Sequence, residues 1–182
     1  MDRVRTFLFI ALKTLLLILV LGFLFVFYLK SDFNSAINNS EINKIRTDIK
    51  NSKPVSSTFI IMYNRINPIT NTSGILSDGL KEHYKRECPC LNVAWWSHLG
   101  RSSRLRGNAY VVAWKLEKDF TQEQCLYYFV EHFMFRTNVI GVRSASQYYF
   151  NKSLNELNDK EIATLIFIFD AISYYDPRLN PE

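Results

Sequence analysis

The sequence predicts an all-α domain behind one membrane-spanning helix. Three observations point there. An unbroken apolar run lies near the N-terminus, and apolar residues recur at helical spacing from residue 101 onward. Gly and Pro number only 6 and 5 in 182 residues, which disfavours the turn-rich build of a β sandwich or barrel.

The apolar run covers residues 7–29 and carries one charge, Lys13. At about 1.5 Å per residue it spans a hydrocarbon core of roughly 30 Å. Lys13 lies within two turns of the N-terminal end, where its amine can snorkel to the headgroups. A cleavable signal has an apolar core of about 7–15 residues that ends in small residues. This run is longer and ends Phe-Val-Phe-Tyr-Leu-Lys, which favours an uncleaved anchor. Arg3, Arg5 and Lys13 place residues 1–6 in the cytoplasm and everything beyond the anchor outside it.

Residues 30–54 are rich in Asn, Ser, Lys and Asp and read as a stem, partly helical where Ile42, Ile45 and Ile49 recur at 3–4 spacing. Pro54 ends it, because the residue before proline is pushed out of the α region. The folded domain is expected over residues 55–182, long enough for one core. Thr58 to Tyr63 is an apolar run of either type, and Leu76, Leu80 and Tyr84 share a helical face. Leu105, Ala109, Val112, Ala113 and Leu116 repeat at the helical period. Thr121 with Gln124 fits a capping box before a helix that buries Leu126, Phe129, Val130 and Phe133. Ser144 to Phe150 predicts a short helix. Asn158 with Glu161 is a second capping pair, opening a helix that buries Ile162, Leu165, Ile166 and Phe169.

The charge of +5 is scattered, with no Lys/Arg run that suits nucleic acid. No P-loop, dinucleotide fingerprint, His-Glu-x-x-His or Ser-x-x-Lys set is present. His83, Cys88, Cys90 and His98 carry soft donors, but Cys-x-Cys is tighter than the usual zinc spacing, so no metal site is assigned. The three cysteines allow one disulfide, between Cys125 and either Cys88 or Cys90, or three buried thiols.

Residues 103–182 resemble the C-terminal half of a glycosyltransferase family 51 domain, the peptidoglycan glycosyltransferases. The family's Lys-Leu-Glu step, basic pair, Phe and Ser appear as Lys115-Leu116-Glu117-Lys118-Asp119-Phe120-Thr121. Its Tyr-Phe-Gly-Lys-Ser segment is matched by Tyr149-Phe150-Asn151-Lys152-Ser153. Leu-Thr-x-x-Glu-Ala-Ala-Leu-Leu becomes Leu157-Asn158-Asp159-Lys160-Glu161-Ile162-Ala163-Thr164-Leu165. Ser-x-Tyr-Asn-Pro and Asn-Pro-Glu become Ser173-Tyr174-Tyr175-Asp176-Pro177 and Asn180-Pro181-Glu182. The resemblance implies a lysozyme-like helical fold, a place on the outer face of the inner membrane, and a role in cell-wall biogenesis. The family's substrate is lipid II, a disaccharide-peptide on a polyprenyl pyrophosphate.

The family's chemistry needs two glutamates, one a general base and one that stabilises the pyrophosphate end through cation or water contacts. In the family's Ile-Leu-Glu-x-Tyr-Leu-Asn helix, Tyr127 takes the glutamate position and Glu131 the asparagine position. Glu131 is a weak substitute, since its carboxylate would be displaced by about 5–6 Å and catalytic groups tolerate shifts of about 1 Å. The first glutamate has no counterpart between Val55 and Gly100; Tyr63 to Pro68 and Thr70 occupy the region. Arg101, Arg104 and Arg106 are candidate contacts to phosphate or an anionic headgroup. The expectation is a degenerate family member, anchored by one pass, that binds lipid II, glycan strands or synthase partners. A divalent cation is expected only if activity survives. The alternatives are an active polymerase with displaced acids and a structural envelope scaffold.

Overall fold

The computed structural model describes residues 2–31, 39–79, 86–96, 109–170 and 172–179. The chain divides into two units, residues 1–38 and 39–182. The first is helix α1 (Asp2–Lys30). It is apolar around its circumference and buries nothing within its own unit, and from Val4 to Lys30 it is long and apolar enough to cross a membrane. The Thr14 hydroxyl donates to the Ala11 carbonyl at 2.8 Å, so this polar side chain is satisfied inside the helix.

Among its described residues the second unit is helical apart from one small hairpin and one isolated bridge between Ile69 and Glu87. Its elements are α2 (Asn39–Asn51), α3 (Ser57–Ile66), α4 (Thr72–Asp78), α5 (Pro89–Trp96), α6 (Ala109–Leu116) and α7 (Gln122–His132), then strands β1 (Met134–Arg136) and β2 (Val139–Ile140), then α8 (Val142–Phe150), α9 (Asp159–Asp170) and α10 (Ile172–Tyr175). The architecture is an all-α, lysozyme-like domain.

The stem reading fails for residues 39–51. Those residues form α2, and Ile42, Ile45 and Ile49 are buried against α7. The 3–4 spacing that suggested a partial helix is one apolar stripe, and burial of that stripe makes α2 part of the domain. Arg46 pairs with Asp119 at 2.7 Å, the Lys53 amide donates to Glu131 Oε2 at 3.2 Å, and Arg143 donates to the Pro54 carbonyl at 2.7 Å. The folded unit therefore begins at Asn39 rather than Val55.

Both capping pairs form as the sequence predicts. Gln124 N donates to Thr121 Oγ1 at 3.2 Å and Thr121 N to Gln124 Oε1 at 2.9 Å. Asn158 and Glu161 exchange bonds at 2.9 and 3.0 Å, and Lys152 adds a 2.6 Å ion pair to Glu161. A third box, Ser153 with Glu156, closes a 3-10 turn over Leu154–Glu156.

A disulfide joins Cys90 at the start of α5 to Cys125 on α7, across 35 residues. Cys88 stays a thiol, and burial pushes it up to about 11, with a smaller push from Glu117. Glu117, just after α6, ties four segments together. Its Oε1 accepts from Thr72 N and Thr72 Oγ1, both at 2.7 Å, from Gln122 Nε2 at 2.8 Å and from Cys88 Sγ at 3.4 Å.

The hairpin pairs Met134 with Ile140. Gly141 follows at φ 81°, and a Cβ there would sit 2.5 Å from the Glu131 carbonyl oxygen. Backbone on both sides cannot yield cheaply. Gly141→Ala is expected to cost about 3 kcal/mol from strain and contact together. The check is a fall in the denaturation midpoint at unchanged slope.

Candidate functional site

The α7 helix carries the positions that sequence reasoning singled out. Glu123, Tyr127 and Glu131 follow at i, i+4 and i+8, so they form one stripe. The Tyr127 hydroxyl donates to Glu123 Oε1. That bond, with some burial, pushes the phenol up to about 12. Tyr127 is therefore neutral at physiological pH. Glu131 does not reach Tyr127, since its Oε2 takes the Lys53 amide instead. A divalent cation does not fit this stripe. Glu123 and Glu131 lie eight residues apart, about 12 Å along the axis, too far to share a hard cation that binds oxygens at about 2.0–2.6 Å. A neutral phenol stands between them.

Arg101, Arg104 and Arg106 lie outside the described residues, as do His83 and His98. Cys90 is committed to its disulfide. Among the described residues no group of three or more His, Cys, Asp or Glu could hold a metal ion.

Two features were not read from sequence. The first is a polar cluster around Tyr63, which is fully buried on α3. Its hydroxyl donates to Glu87 Oε2 at 2.8 Å, and Asn92 Nδ2 donates to the same oxygen at 2.9 Å. Burial, then the Glu87 charge, push the Tyr63 phenol well above its ordinary value. Glu87 is fixed by backbone pairing with the 68–70 segment, through Thr70 N to Glu87 O at 2.8 Å and Glu87 N to Pro68 O at 3.0 Å. A carboxylate thus enters, from a distant point in sequence, the neighbourhood where Tyr63 to Pro68 offer none.

The second is an open groove of about 550 Å³ between the end of α5, the hairpin and the end of α9. Its apolar wall is Trp96, Phe133, Phe135, Phe169 and Leu179. Phe133 and Phe135 are the buried floor, with ring centroids 4.8 and 5.2 Å from Phe169. Trp96 and Leu179 are 46% and 56% exposed at the edge, enough to meet a ligand. Arg136, Thr137 and Asp170 supply polar groups.

Arg136 is clamped. Its Nε donates to Asp176 Oδ2 at 3.0 Å, and its Nη2 donates to the same oxygen. Tyr149 adds a 3.2 Å bond there, and Arg178 N donates to Oδ1 at 2.9 Å. Asp176 is fully buried. Burial pushes its carboxyl up, but the Arg178 amide, Arg136 and Tyr149 together outweigh burial and hold it below the usual carboxylate range. A depressed pKa contributes stability that is present above about pH 4, the unfolded value, and is lost as pH falls through the folded value. Asp176→Asn is expected to flatten the fall in stability between about pH 4 and pH 2, read from denaturation midpoints across that range.

The sequence matches the transglycosylase family over residues 92–182, half of the chain. It belongs to that family. Penicillin-binding protein 1F of Bacillus subtilis (strain 168) is 36% identical over 72 residues, which is 40% of this chain. Penicillin-binding protein 1A of Neisseria flavescens is 33% identical over 82 residues, 45% of this chain. Penicillin-binding protein 1A of Neisseria cinerea is 33% identical over 75 residues. The match covers about a tenth of each relative's length. In this transglycosylase-family chain, α7 with its capping box and the Asn158–Glu161 pair lie within the matched residues.

Proposed function

We propose that the protein is a single-pass component of the inner membrane whose extracytoplasmic domain binds peptidoglycan precursor or glycan without polymerising it. In this reading it acts beside cell-wall synthases. The observation that carries it is Tyr127, a neutral phenol bonded to Glu123 at the family's glutamate position. A phenol near pKa 12 offers neither a carboxylate for a cation nor a base at neutral pH, and base catalysis alone is typically worth 10²–10⁴-fold. The open groove and its aromatic floor support binding.

The test is incubation of the purified full-length protein in detergent with lipid II, with binding and product read separately. Binding above an anionic-lipid control, without a glycan ladder, is the expected result. A ladder would sink the non-catalytic reading.

One observation favours the alternative of an active polymerase with a displaced acid. Glu87 presents a half-buried, backbone-fixed carboxylate beside Tyr63, and among the described residues its Oε1 has no hydrogen-bond partner. If a ladder forms and Glu87→Gln abolishes it while lipid II still binds, Glu87 is the acid.

A further inference from the structure

We infer that Glu117 and Gln122 sort the three cysteines, holding Cys88 as a thiol so that Cys125 pairs with Cys90. They are positioning residues, which act on the choice of disulfide through the groups they hold.

The chain alone does not make that choice. Three cysteines allow three bonds, and only Pro89 separates Cys88 from Cys90. A bond from Cys88 to Cys125 would close a loop just two residues longer than the 35-residue loop that forms. Loop-closure entropy grows with the logarithm of length, so it barely distinguishes the two. Wherever the domain folds under oxidising conditions, all three bonds compete, and local contacts must select among them.

The contacts treat the two neighbours differently. Gln122, the first residue of α7, accepts at Oε1 from the Cys90 amide at 3.0 Å and from Cys88 Sγ at 3.5 Å. One oxygen thus pins the start of α5 and holds the competing thiol. Its other side-chain atom is fixed as well, since Nε2 donates to Glu117 Oε1 at 2.8 Å. Three residues further along α7, Cys125 meets Cys90 with Cα atoms 5.0 Å apart, inside the usual range for a bridge.

Cys88 is 2% exposed. Its Sγ donates to Glu117 Oε1 at 3.4 Å and lies 3.6 Å from Thr72 Oγ1, so α4 and the end of α6 also hold it. Exchange would need its thiolate. That thiolate would attack Cys125 Sγ and break the bond to Cys90, whose sulfur would leave as a thiolate and take up a proton; no oxidant or reductant is consumed. Glu117 opposes the first step. A thiolate beside its carboxylate is a second negative charge in a buried site, whereas the neutral thiol donates to a charged acceptor. Burial and Glu117 push the Cys88 thiol up in the same direction.

The experiment is refolding of the reduced full-length protein in detergent with a glutathione redox buffer, then alkylation, proteolysis and tandem mass spectrometry to locate the free thiol. In the unaltered protein the Cys90–Cys125 bond is expected to exceed all bonds to Cys88 by about tenfold or more. In Glu117→Ala that ratio is expected to fall to about twofold or less, and Glu117→Gln, which keeps an oxygen but not the charge, is expected to lie between. Gly141→Ala controls for general loss of stability. It weakens the fold at the hairpin and is expected to keep the unaltered ratio. Comparable pairing through Cys88 in the unaltered protein would overturn the inference. So would an unaltered ratio in both Glu117 variants, or a Gly141→Ala ratio as low as that of Glu117→Ala. Should Glu117→Ala fail to refold, the Glu117→Gln ratio alone decides.

Discussion

Replacement of Cys90 and Cys125 by alanine is expected to destabilise the domain by about 3–4 kcal/mol. The bond closes a 35-residue loop, for which chain-entropy reasoning gives roughly that value. It also sits in the core, with both residues at 0% exposure. The alanines remove two buried sulfur atoms from packing, so the loss has an entropic and a contact part. Its location makes the effect global, because α5 and α7 carry the groove wall and the Tyr127 stripe. Reductant should reproduce most of the shift in the unaltered protein and none in the double variant. Equal midpoints for oxidised and reduced protein would show that the bond contributes nothing to stability.

Glu117→Ala is expected to cost about 3 kcal/mol or more. The carboxylate satisfies the amide and hydroxyl of Thr72, a residue with no exposed surface, and bonds to a charged acceptor are worth about 1.5–3 kcal/mol each. Its removal leaves the Thr72 amide buried without an acceptor, leaves the Thr72 hydroxyl only the weak Cys88 Sγ partner at 3.6 Å, and loosens Gln122, which donates to Glu117 while accepting from the Cys90 amide at 3.0 Å. Glu117→Gln keeps one acceptor oxygen and should lose about half as much. Denaturation midpoints of both variants test this. A loss under about 1 kcal/mol for the alanine variant would show that water replaces the carboxylate at Thr72.

The legible parts of the fold were those fixed by local pattern. Thr121 with Gln124 and Asn158 with Glu161 announce their helices because a cap is a short-range motif whose partners lie three residues apart. The apolar run of α1 is equally local. The polar constellations were not legible, because their members are far apart in sequence. Arg136 meets Asp176 across 40 residues, Tyr63 meets Glu87 across 24, and Glu117 meets Thr72 across 45. Composition and periodicity carry no term for such pairs. The α2 stripe failed differently. Its period was visible, but a helix of polar average composition gave no sign of what its three isoleucines would cover. The expectation about Tyr127 rested on the family resemblance alone, and its bond to Glu123 emerged from the helical stripe.

The attachment of α2 has a practical consequence for anyone who wants the domain without its lipid-seeking helix. A cut before Val55, where the chain composition changes, would strip Ile42, Ile45 and Ile49 from α7 and leave Glu131, Asp119 and Arg143 without their partners. The bared helix would offer a sticky, self-associating face. A cut just ahead of Asn39 keeps that face covered, so the soluble boundary of this protein is set by three isoleucines rather than by its proline.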